Sequence, residues 1–181
     1  IYYEKNILSK TEIDALVKKC YEIQKVTKSS HEKWMCDVYT THATYDLVND
    51  ETFNKLISHI THHVNNFATF FGSTHKHKCE SGWINIYKNI QYQEYHYHPS
   101  SVFSAVYYLK APEGSAGITF NSPLQPDMNP VKNIDKKTIF SFEECSYKAE
   151  EDKLIIFRSN IQHLVRQGTN KEDRISLAFN F

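Results

Sequence analysis

Two amphipathic helical stretches followed by about eight short strand-like runs place this 181-residue chain in the α+β class. The architecture they predict is a double-stranded β-helix, or jelly roll, with two N-terminal helices packed on it. Three observations carry that reading. Apolar residues recur at helical spacing twice before residue 80. The texture then changes to strand-length apolar runs separated by turns. The composition is rich in aromatic residues and poor in glycine, with 12 Tyr, 11 Phe and 5 Gly, which suits pleated, half-buried surfaces.

Ser9-Lys10-Thr11-Glu12 is a capping-box pattern, and Ile13, Leu16, Val17, Cys20 and Ile23 follow at helical spacing. A second helix is expected to start near Asn49-Asp50 and run to Gly72, with Phe53, Leu56, Ile57, Ile60, Val64 and Phe67 as its apolar positions. The stretch 34–45 has no clear period. Strands are expected at 83–87, 92–98, 102–109, 117–120, 138–147, 154–157, 163–165 and 175–181. Residues 121–136, with Pro123, Pro126 and Pro130, read as a long loop of the kind that serves as a lid. No repeat or linker divides the chain. It reads as a single domain over 1–181, with a mainly helical part at 1–79 and a jelly-roll core at 80–181.

Lys and Arg number 21 against 21 Asp and Glu, so the formal net charge is zero. Binding dominated by phosphates depends on clustered cationic charge, so nucleic acid is disfavoured as an obligate partner. Cys20, Cys36, Cys79 and Cys145 are scattered and form no C-x-x-C pair, which fits free thiols in a reducing cytoplasm better than a disulfide framework. No signal-peptide pattern or apolar run of membrane length occurs, which adds to the expectation of a cytoplasmic protein without membrane attachment.

His96 and His98 lie one residue apart on an expected strand, and alternation turns both to one side. A distant strand would bring in His163, and three imidazoles would then close the cis positions of a facial triad. The remaining positions stay open for an oxidant and a co-substrate. A bare H-x-H equally fits two solvated surface histidines, but three features favour ligands. His163 follows the apolar run 154–157 and the turn-like Arg158-Ser159-Asn160. Arg174 and Ser176 share one face of the last strand, and the order of these groups occupies successive strands. Arg174 then supplies the cation that a dicarboxylate co-substrate needs, and the pattern points to a non-haem iron oxygenase.

Glu94, His96 and His98 are spaced by two, so Glu94 is an alternative third ligand to His98. His59, His62 and His63 fall at i, i+3 and i+4 on the second helix, and His75-Lys76-His77-Lys78-Cys79 could be imagined as a zinc fragment. Neither completes a ligand set at standard spacing, and both read as solvated faces.

The stretch Ile84-Asn85-Ile86-Tyr87 through His96-Tyr97-His98, then Ser104-Ala105-Val106-Tyr107-Tyr108-Leu109, resembles the core of 2-oxoglutarate/Fe(II) oxygenases of the prolyl-hydroxylase type. The likeness is strongest to a group of phage and bacterial 2OG-Fe(II) oxygenases that carry an H-x-H-P-x-S segment, a "vYYl" strand, a distal His and an "R-I-S-x-x-F-N-F" ending. This chain ends Arg174-Ile175-Ser176-Leu177-Ala178-Phe179-Asn180-Phe181, and the resemblance covers roughly residues 82–181. Each piece alone is weak, whereas the combination is specific.

The resemblance implies that His96 and His163 are the two triad histidines. It implies that Arg174 pairs with the distal carboxylate of 2-oxoglutarate, a task suited to a planar guanidinium. Ser176 and Tyr108 would add hydroxyl contacts, Tyr87 would be a pocket tyrosine, and Asn180 would line the same cavity. Only alternate strand residues face inward, so at most one of Tyr107 and Tyr108 belongs to the pocket. The chain departs from the usual pattern at His98, where Asp or Glu is expected. A neutral imidazole can coordinate iron but leaves the site with one more positive charge.

The implied activity is that of an Fe(II)- and 2-oxoglutarate-dependent dioxygenase, with dioxygen as oxidant, hydroxylating a peptidyl side chain or a small molecule. Two alternatives stand beside it. One is a three-histidine iron dioxygenase without 2-oxoglutarate, as in thiol dioxygenases, with Arg174 holding a substrate carboxylate. The other is a non-catalytic jelly-roll binding module, since jelly rolls host many functions.

Overall fold

The computed structural model describes residues 1–122, 135, 136, 138 and 143–181. A short strand, β1 (Tyr2–Lys5), precedes helix α1 (Lys10–Val26). The helix begins where the capping box sets it. Ser9 Oγ accepts from the Glu12 backbone N–H, and the Glu12 carboxylate accepts from the Ser9 N–H at 2.8 Å. Ile13, Leu16, Cys20 and Ile23 form its buried stripe. The second helix starts later than its sequence suggests. Asp50 caps a 3-10 turn, Glu51–Phe53, by accepting from the Thr52 N–H at 2.9 Å, and helix α2 (Asn54–Thr69) follows.

The remaining strands are β2 (Tyr39–Thr40), β3 (Ser81–Tyr87), β4 (Gln93–His96), β5 (Phe103–Lys110), β6 (Ile118–Asn121), β7 (Glu144–Tyr147), β8 (Lys153–Arg158), β9 (His163–Val165) and β10 (Arg174–Asn180). All but β2 fall on expected runs. The expected strand from 138 is described only as β7, and most of the expected lid loop, 123–134, lies outside the described residues. β1 and β2 were not anticipated, because runs of four and two residues are too short to display a period. They add to the edges of the large sheet, so the N-terminal part is not purely helical.

Among the described residues the strands form two antiparallel sheets, one six-stranded in the order β1-β8-β5-β10-β3-β2 and one four-stranded in the order β4-β9-β6-β7. One face of the larger sheet carries the helices. There Leu16, Ile60 and Val64 share a core with Ile84, Tyr107, Ile156 and Leu177 of the strands. Its other face meets the smaller sheet, where Val106, Ile155 and Phe157 pack with Ile118 and Phe120. Period-2 alternation decides which residues go where. On β10, Ile175, Leu177 and Phe179 join the helix-side core, while Arg174, Ser176 and Ala178 face a cavity between the sheets. No described helix is long and apolar enough to cross a membrane.

The close pairing of β6 with β7 depends on Gly117, where a Cβ would lie 1.8 Å from the Tyr147 carbonyl oxygen. Backbone cannot step aside as a side chain can, so Gly117→Ala is expected to destabilise the protein by on the order of 1–3 kcal/mol or more. Urea denaturation of the two proteins checks this, and equal midpoints would show that β6 and β7 separate without cost.

Candidate active site

His96 ends β4 and faces His163, the first residue of β9, across the small sheet. His98 lies two residues past the end of β4, where its backbone N–H donates to Ser159 O at 2.9 Å. One ligand nitrogen from each of these three rings lies within 4.8 Å of the others, and no other such group exists among the described residues. Each ring is fixed through Nδ1. That atom donates to Glu94 O at 2.9 Å in His96, to Ile161 O at 2.9 Å in His163, and to Asn180 Oδ1 at 2.6 Å in His98. A carbonyl oxygen only accepts, so Nδ1 carries the proton in all three rings and Nε2 keeps its lone pair. Metal-binding histidines are oriented by this kind of partner.

The structure places Glu94 outside this cluster, for a reason local to β4. Three residue steps from Gln93 to His96 are matched by two from Val165 to His163, so β4 carries a bulge. The extra residue resets the alternation. Gln93, not Glu94, shares the cavity with His96, and the Glu94 carboxylate accepts from the Met35 N–H at 3.2 Å. The other histidines of the expected solvated faces stay apart from the site. His63 Nδ1 meets the Tyr2 hydroxyl at 2.9 Å, and His62 Nε2 meets Asn66 Nδ2 at 2.9 Å.

The cavity beside the three histidines is small, about 40 Å³, and Arg174 lies in its wall. Arg174 is 1% exposed. Its guanidinium sits 4.3 Å from the centre of the Tyr87 ring and 5.2 Å from that of Tyr108. Such cation–π contacts stabilise a buried cation but satisfy none of its N–H groups. Among the described residues, Arg174 Nε and Nη1 and the Tyr108 hydroxyl have no hydrogen-bond partner. A buried charge without a counter-ion is costly, and a carboxylate entering this cavity would supply the missing acceptors. Burial pushes the pKa of the Tyr87 hydroxyl up to about 12 and raises that of Tyr108, against the pull of the Arg174 charge. Both therefore remain donors, and Tyr87 gives its proton to Gln93 Oε1 at 3.0 Å.

Ser176 is buried in the same wall, level with Asn85 on β3 and Tyr108 on β5. Tyr107 points to the opposite face, where its hydroxyl donates to Asp152 at 2.7 Å. Of the two adjacent tyrosines, alternation admits only Tyr108. Asn180 borders a second, outer cavity of about 320 Å³ that also reaches His96 and His98 and is flanked by Trp34, Trp83 and Tyr97. Trp83, Asn85 and Gln93 also line the inner cavity and were not anticipated. Alternation back from Tyr87 could have found the first two. Gln93 could not be found without knowing of the bulge.

Residues 81–180 match a family model described as "Putative 2OG-Fe(II) oxygenase". The chain belongs to this 2OG-Fe(II) oxygenase family. The cofactors of the family are iron(II) and 2-oxoglutarate, with dioxygen the usual co-substrate, and the three free Nε2 lone pairs beside an unpaired guanidinium fit both. No curated protein matches the chain in sequence. Among solved structures, the chain is similar in fold to the viral collagen prolyl hydroxylase of Paramecium bursaria Chlorella virus-1 in its 2OG complex, at 19% identity and a TM-score of 0.63, over 99% of this chain and 95% of that one. A Trichoplax adhaerens prolyl hydroxylase, in complex with a hypoxia inducible factor peptide fragment, matches at 13% identity and a TM-score of 0.63 over 99% and 82%. HygX from Streptomyces hygroscopicus, with nickel, 2-oxoglutarate and hygromycin B bound, matches at 9% identity and a TM-score of 0.63 over 98% and 80%. Likeness at these identities is likeness of the double-stranded β-helix fold. That fold and its two packed helices are those the sequence predicts.

Burial lowers the pKa of all three imidazoles of this oxygenase, taking His98 to about 4 and His163 to about 2, with repulsion from neighbouring imidazoles adding to both. The unfolded chain, with ordinary histidines near 6.5, therefore binds protons that the folded one refuses. Stability is unaffected by these groups above about pH 6.5 and falls as the pH drops below it, by up to about 1.4 kcal/mol per pH unit for each proton. Metal-free protein should lose urea stability between pH 7 and pH 5, and His163→Asn should flatten that slope. A variant with the wild-type slope would show that His163 does not contribute to it.

Proposed function

We propose that this oxygenase is an Fe(II)- and 2-oxoglutarate-dependent dioxygenase that hydroxylates a C–H bond of a peptidyl side chain or a small molecule. The observation that carries this reading is the buried Arg174 guanidinium, with two unpaired nitrogens in the wall of the cavity that also holds three converging histidines. His96, His98 and His163 would hold the iron through Nε2. Arg174 would take the distal carboxylate of 2-oxoglutarate, with the Tyr108 and Ser176 hydroxyls as further donors, leaving the keto-acid end free to face the histidines. With both bound, dioxygen would be the oxidant: one of its oxygen atoms would enter succinate as 2-oxoglutarate loses carbon dioxide, and the other would enter the substrate C–H bond as a hydroxyl.

The chain's own residues bind, orient and dehydrate. Ile118, Phe157 and Val165 close the inner cavity with apolar surface, which strengthens each polar contact made there. The outer cavity shares Trp83, Gln93, His96 and His98 with the inner one and would give a substrate its approach. Support for both substrate classes comes from relatives of the same fold, one solved with a peptide and one with hygromycin B. Three neutral ligands also fit a dioxygenase that uses no 2-oxoglutarate, with Arg174 on a substrate carboxylate. Succinate formation dependent on both iron and 2-oxoglutarate supports the first reading, and oxygen uptake that ignores 2-oxoglutarate would replace it with the second.

Arg174→Ala should weaken 2-oxoglutarate binding at least tenfold, because a charge-assisted pair contributes roughly 1.5–3 kcal/mol, while the metal still binds. Calorimetric titration reads both quantities, and an unchanged affinity for 2-oxoglutarate would remove Arg174 from its role. Ser176→Ala should act in the same direction and less strongly.

His98→Ala should lose iron, since two protein ligands hold a divalent ion poorly, while Glu94→Ala should keep it. His98→Asp should retain iron with altered turnover, because the shorter carboxylate reaches less far toward an ion placed for an imidazole. Iron stoichiometry after gel filtration distinguishes these variants. Iron kept by His98→Ala and lost by Glu94→Ala would retire the three-histidine site.

A further inference from the structure

His98 differs from the other two histidines in what holds it. His96 and His163 donate to backbone carbonyls two residues away, so their anchors come with the strand itself. The anchor of His98 is a side chain from the opposite sheet, Asn180 on β10, at 2.6 Å. Asn180 Oδ1 accepts a second hydrogen bond, from Ser104 Oγ at 2.9 Å. With the Ser104 proton committed to Asn180, the bond between the Ser104 and Ser159 hydroxyls at 2.8 Å must have Ser159 as donor. Both serines are fully buried. Ser159 closes the circuit, because its carbonyl oxygen accepts from the His98 backbone N–H at 2.9 Å. The Trp83 ring lies against the imidazole at 5.6 Å between centroids, inclined by 33°. A buried chain of hydrogen bonds running in one direction thus ends on the face of Asn180 that His98 uses.

We propose that Asn180 is the positioning residue of His98: its amide oxygen, oriented by Ser104 and Ser159, holds the imidazole in the tautomer and orientation that present Nε2 to the metal. This role rests on the three-histidine reading above and deepens it. His98 stands beyond the end of β4, so strand geometry does not aim its ring. A carboxylate at this position could offer either oxygen to an ion, whereas an imidazole offers one nitrogen and only in one tautomer. The acceptor on β10 removes the wrong tautomer, and the serines keep the Asn180 oxygen, not its NH₂, turned to the ring. Hydrogen bonds in such a sequence polarise one another, which strengthens the hold.

The test uses the full chain, with cobalt(II) alone as the metal probe and long-range proton–nitrogen correlation NMR of the imidazoles in the metal-free protein at neutral pH. In the wild type His98 should appear as a single Nδ1–H tautomer. Asn180→Leu should give a tautomer mixture at His98 but not at His96 or His163, and should weaken cobalt binding by roughly 10–100-fold. Asn180→Asp keeps an acceptor and should restore both the tautomer and the affinity. Ser104→Ala, a smaller change, should shift both readouts in the direction of Asn180→Leu. A single Nδ1–H tautomer at His98 and cobalt affinity within about twofold of wild type in Asn180→Leu would overturn the proposal, as would a tautomer change without loss of affinity. If cobalt binding by the wild type is instead indifferent to His96→Ala and His163→Ala, the metal reading itself falls, and the role of Asn180 toward the metal falls with it.

Discussion

The register of β4 against β9 sets His96 directly opposite His163, and the rest of the site is arranged around that pair. Side chains alternate with a period of two, so a slip of one residue would send one of the rings to the far side of the small sheet. The bulge between Gln93 and His96 is part of this constraint. It absorbs one residue of β4, brings Gln93 to the Tyr87 hydroxyl and turns Glu94 away to the Met35 backbone. The same insertion that makes the histidine pair therefore also removes the nearest carboxylate from it. What remains is a set of neutral ligands.

β10 supplies the complementary wall. Its alternation divides Ile175, Leu177 and Phe179, which belong to the core under the helices, from Arg174, Ser176 and Ala178, which face the cavity. A guanidinium can be kept at 1% exposure there because the strand is central, between β5 and β3, and each neighbour contributes a tyrosine ring to it. Aromatic faces lower the cost of the charge without saturating its donors. The cost left over is a standing demand for an anion. Such a demand next to three clustered imidazole lone pairs would suit a ligand with a carboxylate at one end and metal-binding oxygens at the other.

Much of this was legible in the residues, and the exceptions have physical causes. The capping box at Ser9 and Glu12, the apolar stripes of both helices and the strand runs after residue 80 are repeated local signals, and they placed the helix-packed jelly roll. Alternation limited the pocket to one of Tyr107 and Tyr108, the resemblance pointed to Tyr108, and the structure places Tyr108 in the cavity and Tyr107 on Asp152. The 3-10 turn before α2 was hidden because its residues fit a helical pattern as well as a helix does. β1 and β2 exist only through their pairing with β8 and β3, a tertiary fact. Glu94 looked equivalent to His96 and His98 because a spacing of two presumes an unbroken strand. A bulge leaves no mark in the sequence around it. The link from Asn180 to His98 joins two sheets and has no local signature at all.

Charge balance ties the departure at His98 to the unpaired Arg174. With a carboxylate among its ligands a divalent iron centre would carry a net charge of +1, whereas three imidazoles leave it at +2. Arg174 adds another positive charge across the same cavity, in surroundings where Coulomb interactions are far less screened than in water. Between them the metal centre and the guanidinium favour a ligand that brings two negative charges, one for each end of the cavity. A neutral or monoanionic ligand would leave one end uncompensated. The low proton affinity of the buried histidines serves the same end, because none of them spends its lone pair on a proton near neutral pH. Replacing a carboxylate by an imidazole therefore does not weaken the electrostatic case for a dicarboxylate co-substrate at this site. With the dianion bound, a three-histidine site would keep a net charge of +1, where a carboxylate ligand would have brought it to zero.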